Sequence, residues 1–190
     1  MSVLFANITQ WGKGKMVCAE ISRMAPSVFA FCETHVPKDD FHLVDLRLRK
    51  QGYKIVDVDH AASTGLGGTS AGLCLATKTI HQAGPIDPAI VQEVSGHACR
   101  RWVAGTFRLK GASVIIVCLY LFVSEGMSAR NLAILTQIAL LVKLFKEPVL
   151  IMGDFNMVES DIQDWFFRSG LTPLRKDSSP TIVTPGGAQY

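Results

Sequence analysis

The motif GDFN, at residues 153–156, places a carboxylate and an amide directly after an apolar run. Asp154 and Asn156 follow the segment PVLIM. Residues two apart on an extended backbone point to the same side, so both side chains are expected together at the end of a strand. There the carboxylate can take a proton from water, and the amide can donate a hydrogen bond to a phosphate oxygen. Asp and Asn are also ordinary turn formers, so the motif alone leaves a simple turn open.

Three further polar residues stand at the ends of apolar segments. Glu33 follows VFAFC, Tyr120 ends VIIVCLY and Asn7 lies in FANITQWG. A carboxylate beside a buried strand is costly unless it is paired or bound to a metal, and Mg²⁺ typically takes one or two protein carboxylates. Each residue also has a structural explanation: a glutamate at the rim of a loop, a core tyrosine with a satisfied hydroxyl, and a polar residue that opens a turn.

Taken in order, these segments resemble the endonuclease/exonuclease/phosphatase family of Mg²⁺-dependent enzymes, which share a DNase I-like fold. The segment VLIMGDFNM is the most specific part, and the order holds over nearly the whole chain. A predicted helix after residue 128 leads directly into GDFN, which is most similar to endonuclease domains of LINE-type retrotransposons. The other matching segments are NITQWG, CETH, GLGGTSAGLCLA and VIIVCLY.

The resemblance implies a role for each of these residues. Glu33 would bind Mg²⁺ or Mn²⁺, with Asn7 and Asp154 beside the metal. Asp154 would orient or deprotonate the attacking water, and Asn156 would contact the phosphate, with Asn7 close to it. Tyr120 would hydrogen-bond the phosphate or help the leaving oxygen. Positive charge at such a site would neutralise the charge that develops on phosphate oxygens in the transition state.

The resemblance also implies an α+β fold, a four-layer sandwich of two packed mixed β-sheets flanked by helices. Alternation between apolar strands and amphipathic helices agrees with a mixed domain. The most strongly periodic helix covers residues 128–145, with Ser128 as its N-cap. Strands are predicted at 3–9, 28–32, 53–59, 73–77, 89–94, 102–109, 113–120 and 148–152, a loop at 61–70, and other helices at 16–24, 37–52 and 162–167.

Three features depart from the family. Thr9 stands where an acidic or amide residue is common, and Leu121-Phe122 follows Tyr120 where Ala-Pro is common. The family ends with an Asp and an Asp-His pair that are not found before Tyr190, and all five histidines lie too early to match. We therefore expect one domain over residues 1–190 that lacks its last strands and has little hydrolytic activity of its own.

Charge and composition permit a nucleic-acid partner without demanding one. The net charge is +3 and the sequence pI is about 8.6. Five widely spaced cysteines without a CxxC motif predict reduced thiols and an intracellular setting, cytoplasmic or nuclear. No signal peptide or membrane-spanning run is predicted. Six basic residues either line a phosphate path or are scattered solvated charge, namely Lys13, Lys15, Arg100, Arg101, Arg108 and Arg130.

Three functions remain open on the sequence alone. The first is an Mg²⁺-dependent endonuclease acting on DNA, with Arg130 among its phosphate contacts. The second is a phosphoesterase of the same fold that acts on inositol phosphates or phospholipids. The third is a catalytically inactive remnant that at most binds a partner.

Overall fold

The computed structural model describes residues 1–11, 14–63, 69–96, 100–109 and 111–171. Most of the predicted strands and helices are confirmed, with ends that move by a few residues. The strands are β1 (Val3–Asn7), β2 (Val28–Cys32), β3 (Tyr53–Asp59), β4 (Ala62–Ser63), β5 (Thr69–Ser70), β6 (Leu73–Lys78), β7 (Ala83–Pro85), β8 (Trp102–Leu109), β9 (Ala112–Tyr120) and β10 (Val149–Asp154). The helices are α1 (Gly14–Met24), α2 (Phe41–Lys50), α3 (Pro88–Ser95), α4 (Ala129–Leu144) and α5 (Glu159–Arg168).

Two four-stranded sheets each contain one parallel pair of strands. The first has the order β1-β2-β6-β3, in which β1 and β2 are parallel. The second has the order β10-β9-β8-β7, in which β9 and β10 are parallel. The registers pair Asn7 with Cys32 and Asp154 with Tyr120, so the two strands of each parallel pair end level with each other. The short strands β4 and β5 form a separate hairpin.

Three apolar clusters define the layers of the domain. One lies between the two sheets, and the other two join an outer face of each sheet to its helices. Helices α1 and α2 cover the first sheet, while α3, α4 and α5 cover the second. This order of layers confirms the four-layer α+β sandwich and places α4 on an outer face. The inner cluster includes Ala30, Cys32, Leu75, Val103, Ile116 and Cys118, all with no exposed surface.

The strand predicted at residues 89–94 is wrong, because this segment belongs to helix α3. Asp87 caps the helix: its carboxylate accepts a hydrogen bond from the Ala89 backbone N–H at 2.8 Å. Pro88 occupies the first helical turn, where its missing N–H costs nothing. Val94 is buried against the second sheet, so the Ile and Val content reflects a short amphipathic helix. The capping residues Asp87 and Pro88 indicate a helix more strongly than the β-branched residues indicate a strand.

Other predictions concern the cysteines, the tail and membrane spans. Among the described residues, Cys18, Cys32, Cys74 and Cys118 are buried and free, as predicted for reduced core thiols. Cys99, Lys13 and the tail from 172 onward, on which the expectation of missing strands rests, lie outside the described residues. None of the helices in the described ranges has the length and apolar character needed to cross a bilayer.

Candidate active site

Four strands bring their carboxyl ends together at one end of the sandwich. The two parallel pairs face each other, with β1 opposite β10 and β2 opposite β9. Asn7 ends β1, Tyr120 ends β9 and Asp154 ends β10, while Glu33 directly follows β2. We call this group, with Asn156 of the turn after β10, the strand-end site. Hydrogen bonds join Asn7 to Asp154 and Tyr120 to Glu33, so the structure brings together residues from both sheets.

The Asp154 carboxylate is held by two donors. Asn7 Nδ2 donates to Oδ2 at 3.1 Å, and the backbone N–H of Asn156 donates to Oδ1 at 3.3 Å. Both amides are themselves fixed: Asn7 Oδ1 accepts from the Thr9 backbone N–H at 3.0 Å, and Asn156 Nδ2 donates to the Leu121 carbonyl at 2.9 Å. The carboxylate therefore has one defined orientation. Thr9 takes part here through its backbone N–H, a contact that does not depend on its side chain.

The GDFN turn needs a glycine at position 153 and a residue that tolerates the left-handed backbone conformation at position 156. A Cβ on Gly153 would lie 2.2 Å from the Leu119 carbonyl oxygen on the neighbouring strand, which no side chain can accommodate. Asn156 has a φ of +49°, a conformation that asparagine tolerates better than most residues. The Leu121 backbone N–H donates to the Asp154 carbonyl at 3.0 Å, which extends the pairing beyond both strand ends. The motif thus combines chemistry with strict backbone requirements.

The Glu33 carboxylate accepts a hydrogen bond from the Tyr120 hydroxyl. Burial raises the pKa of the Tyr120 phenol above its ordinary value, and the hydrogen bond and negative charge of Glu33 raise it further. Tyr120 consequently keeps its proton through the neutral range and acts as a donor. The Arg101 guanidinium carbon lies 4.5 Å from the centroid of the Tyr120 ring, and Arg101 Nε donates to the Tyr120 carbonyl at 2.8 Å. A cation therefore lies directly against the tyrosine.

Oxygen donors for a divalent metal are present but few. Glu33 and Asp154 offer carboxylates, and Asn7 offers an amide oxygen. Burial raises the pKa of the Cys32 thiol, and Cys118 raises it further. The negative charges of Asp154 and Glu33 also raise it, so both carboxylates lie near this thiol. Within the described residues there is no group of three or more His, Cys, Asp or Glu placed to hold a metal. This donor set suits a hard cation that keeps several waters, as Mg²⁺ does.

The basic residues considered as phosphate contacts differ in their position relative to the strand-end site. Arg130 is bound to Glu125, with Nη1 to Oε1 at 2.7 Å, and its guanidinium carbon lies 3.6 Å from the centroid of the Phe122 ring. It is thus beside the strand-end site, without a direct bond to the five residues of that site. Arg100 is paired with Asp57 on β3. Arg108 does not line the site at all, because it lies at the opposite end of the β8–β9 hairpin.

Asn131 is a structural residue of the site that sequence reasoning did not single out. Its side chain has no exposed surface. Oδ1 accepts from the Phe122 backbone N–H at 2.8 Å, and Nδ2 donates to the carbonyls of Phe122 at 3.2 Å and Gly126 at 2.8 Å. The available signal was its spacing, because Asn131 is four and seven residues before the buried Leu135 and Ile138 of α4. A polar residue on a buried helical face must have partners.

The comparisons with known proteins identify the fold. No family model matches the chain, and no curated protein sequence matches it. Solved structures do: the endonuclease domain of TRAS1, a telomere-specific non-LTR retrotransposon, has a TM-score of 0.63 and 16% identity over 94% of this chain and 76% of that chain. The human Nocturnin catalytic domain has a TM-score of 0.62 and 17% identity, over 90% of this chain and 69% of its own.

A third solved structure is that of ANGEL2, a 2′,3′-cyclic phosphatase. Its TM-score is 0.55 at 16% identity, and the match covers 89% of this chain. This chain spans only 56% of the ANGEL2 chain. A further match is described as an endonuclease/exonuclease/phosphatase family protein from Leptotrichia buccalis. The chain therefore has the DNase I-like fold of that family, as the resemblance implied.

Proposed function

We propose that the strand-end site hydrolyses a phosphodiester in DNA with the help of a divalent metal, Mg²⁺ or Mn²⁺. The observation that carries this proposal is the Asp154 carboxylate, which Asn7 and Asn156 orient beside the Tyr120–Glu33 pair. An oriented carboxylate can position the attacking water, and a protonated phenol can donate to a phosphate oxygen, so both groups can assist phosphoryl transfer to water. Two similar structures support DNA as the substrate, since the matched TRAS1 domain is an endonuclease and the 3′ phosphatase NExo is bound to a product DNA hairpin.

In this proposal each side chain has a distinct task. Asp154 orients the attacking water and takes its proton, while Asn7 keeps the carboxylate in place. Asn156 uses one hydrogen of its amide nitrogen for the Leu121 carbonyl, and we assign the second hydrogen to a phosphate oxygen. Tyr120 stays protonated, and its single O–H, which donates to Glu33 in this structure, would turn to the phosphate or to the leaving oxygen when substrate is bound.

Glu33 is the residue that would hold the metal, with an oxygen of Asp154 or Asn7 nearby. A divalent cation supplies charge neutralisation at the phosphate oxygens when it is bound. Because the described part of the chain places two carboxylates, Glu33 and Asp154, at the strand-end site, we expect weak binding. Calorimetry with Mg²⁺ tests this assignment: Glu33→Gln should weaken binding at least about tenfold, the lower end of what loss of even an outer partner costs. Equal affinity in both proteins would reject Glu33 as a ligand.

Nicking of supercoiled plasmid tests the function. The protein is used in excess over plasmid in Mg²⁺, so that slow hydrolysis is detected. We expect Asp154→Asn to slow nicking by about 10²–10⁴-fold, the usual contribution of general acid–base catalysis. Asp164→Asn is the matched control, because it makes the same chemical change on the exposed surface of α5. The proposal is wrong if the wild-type chain shows no Mg²⁺-dependent nicking, or if both variants nick equally fast.

The same assay distinguishes the alternative substrates. Inositol phosphates and phospholipids are offered beside plasmid DNA under identical conditions. Release of phosphate from either of them without nicking of plasmid would assign the site to a phosphoesterase acting on small molecules or lipids. Nicking without phosphate release supports the endonuclease.

A further inference from the structure

We infer that a surface beside the strand-end site, formed by Arg101, Phe122 and Arg130, binds a backbone phosphate of the DNA strand next to the phosphate that reacts. We call these three residues the arginine ledge. The inference rests on the proposed function in one respect, since it takes the reacting phosphate to lie at Asp154. It adds a substrate contact that separates a nucleic-acid strand from a substrate with a single phosphate.

Stacking on aromatic rings leaves the arginine ledge able to bind phosphate. The Arg101 guanidinium carbon is 4.0 Å from the centroid of the Phe122 ring, and that of Arg130 is 3.6 Å from it. A guanidinium that lies over a ring contacts it with its face, whereas its N–H donors lie in its plane, and it is Arg130 whose donors we assign to the phosphate. The side chain of Arg130 is 63% exposed, and Glu125 accepts from its Nη1. Planar donors of this kind recognise phosphate by paired hydrogen bonds.

The arginine ledge is attached rigidly to the residues of the strand-end site. Asn131 hydrogen-bonds both the N–H and the carbonyl of Phe122, so the backbone that carries the ring is held in place. The preceding residue, Leu121, is bonded to Asp154 through its N–H and to Asn156 through its carbonyl. A prepositioned surface loses little conformational entropy when a ligand binds, which favours binding.

The spacing suits a strand that carries a phosphate on each nucleotide. Phe122 lies two residues beyond Tyr120, so the two backbones are separated by at most about 7 Å. Successive phosphates of one strand in duplex DNA rise by about 3.4 Å along the helix axis. Arg101 contacts the rings of both Tyr120 and Phe122, and Arg130 contacts the ring of Phe122, so the arginine ledge adjoins the position of the reacting phosphate.

Binding of a short fluorescent DNA duplex, measured by anisotropy in EDTA, tests the arginine ledge without any hydrolysis. The wild-type chain is compared with Arg130→Gln at salt concentrations from about 50 to 200 mM. Each phosphate contact contributes about 0.9 to the slope of log K against log salt. We expect Arg130→Gln to weaken binding and to lower that slope by about 0.9. Arg108→Gln, an exposed arginine at the opposite end of the β8–β9 hairpin, should change neither quantity.

A second variant tests the same contact by an expected increase in DNA affinity. Glu125→Gln removes the negative partner of Arg130, so DNA binding should become tighter and Arg130→Gln should abolish that gain. The inference is overturned if wild-type protein does not bind the duplex at the lowest salt, or if Arg130→Gln and Arg108→Gln have equal effects. These results are independent of plasmid nicking: loss of nicking with intact, Arg130-dependent binding would reject the hydrolytic proposal and leave the DNA contact standing.

Discussion

The two ends of the sandwich both carry basic side chains, but their polar groups are organised in opposite ways. At the strand-end site, the Asp154 carboxylate of β10 accepts from the Asn7 side chain of β1 and from the Asn156 backbone N–H of the following turn. At the other end, which we call the far end, Lys54 and Arg108 border an open cavity, and Lys54 Nζ donates to the Ala83 backbone carbonyl at 3.1 Å. The side-chain hydrogen bond at the strand-end site joins the two sheets, whereas that of Lys54 ends on a backbone carbonyl.

Strand direction explains the difference between the ends. Both parallel pairs finish at the strand-end site, so four polar strand ends accumulate there. The far end receives the first residues of β3 and β9 and the last residues of β8. Carboxyl ends of neighbouring parallel strands form a crevice in which polar side chains can converge. Substitutions at the two ends should therefore have unequal effects on chemistry and on stability.

The largest expected effect is that of Tyr120→Phe on hydrolysis. Removal of one hydrogen-bond donor to a developing charge typically lowers a rate by about 10²–10³-fold, and we expect a loss of that size in plasmid nicking. Tyr53→Phe is the matched control: its hydroxyl donates to the Pro26 carbonyl at 2.8 Å, in the outer cluster of the first sheet. Equal rates for the two variants would show that Tyr120 has only a structural role.

A smaller effect is expected from a methyl group added at each end. Gly153→Ala forces a Cβ to within 2.2 Å of the Leu119 carbonyl oxygen, so it should lower the free energy of unfolding by about 1–3 kcal/mol. Gly84→Ala, in β7 at the far end, meets no atom within 4 Å and should change it by less than about 0.5 kcal/mol. Urea denaturation measures both, and similar values would contradict the close approach of β10 and β9.

The last effect depends on pH and concerns Asp59, which ends β3 at the level of Leu73. Burial raises the pKa of Asp59 to about 7, against the opposing charges of Arg100 and Arg101. Below about pH 4 the carboxyl is protonated in both folded and unfolded chains. As the pH rises towards about 7, the unfolded chain ionises first, so the stability due to the raised pKa is lost.

The substitution Asp59→Asn should therefore leave the melting temperature unchanged near pH 4 and raise it above pH 7. For a domain of this size, each kcal/mol corresponds to about 2–4 °C. Thermal unfolding followed by circular dichroism at both pH values is the measurement. A constant difference between wild type and variant at all pH values would show that Asp59 does not titrate in this range.

The local sequence pattern was sufficient to predict many strands and helices of the fold and several of the side chains at the strand-end site. Continuous apolar runs predicted β2 and β9 with little error, because a strand buried on both faces has no polar position. The β-branched residues of 89–94 led to the wrong prediction of a strand, because tertiary burial selects apolar side chains in helices and strands alike. Glu33 and Asp154 were recognisable because a carboxylate at the end of a buried strand needs a physical reason.

The sequence by itself determined which residues have the right chemistry, and only the tertiary structure decided which of them meet. Asn7 and Asp154 are 147 residues apart, and their bond exists because β1 and β10 are edge strands that face each other. Arg101 directly precedes β8 and Arg108 lies near its end, so the antiparallel register of β8 and β9 places one beside Tyr120 and the other at the far end. Side-chain type is a local property, whereas proximity depends on strand order and register, which are set by packing over the whole chain.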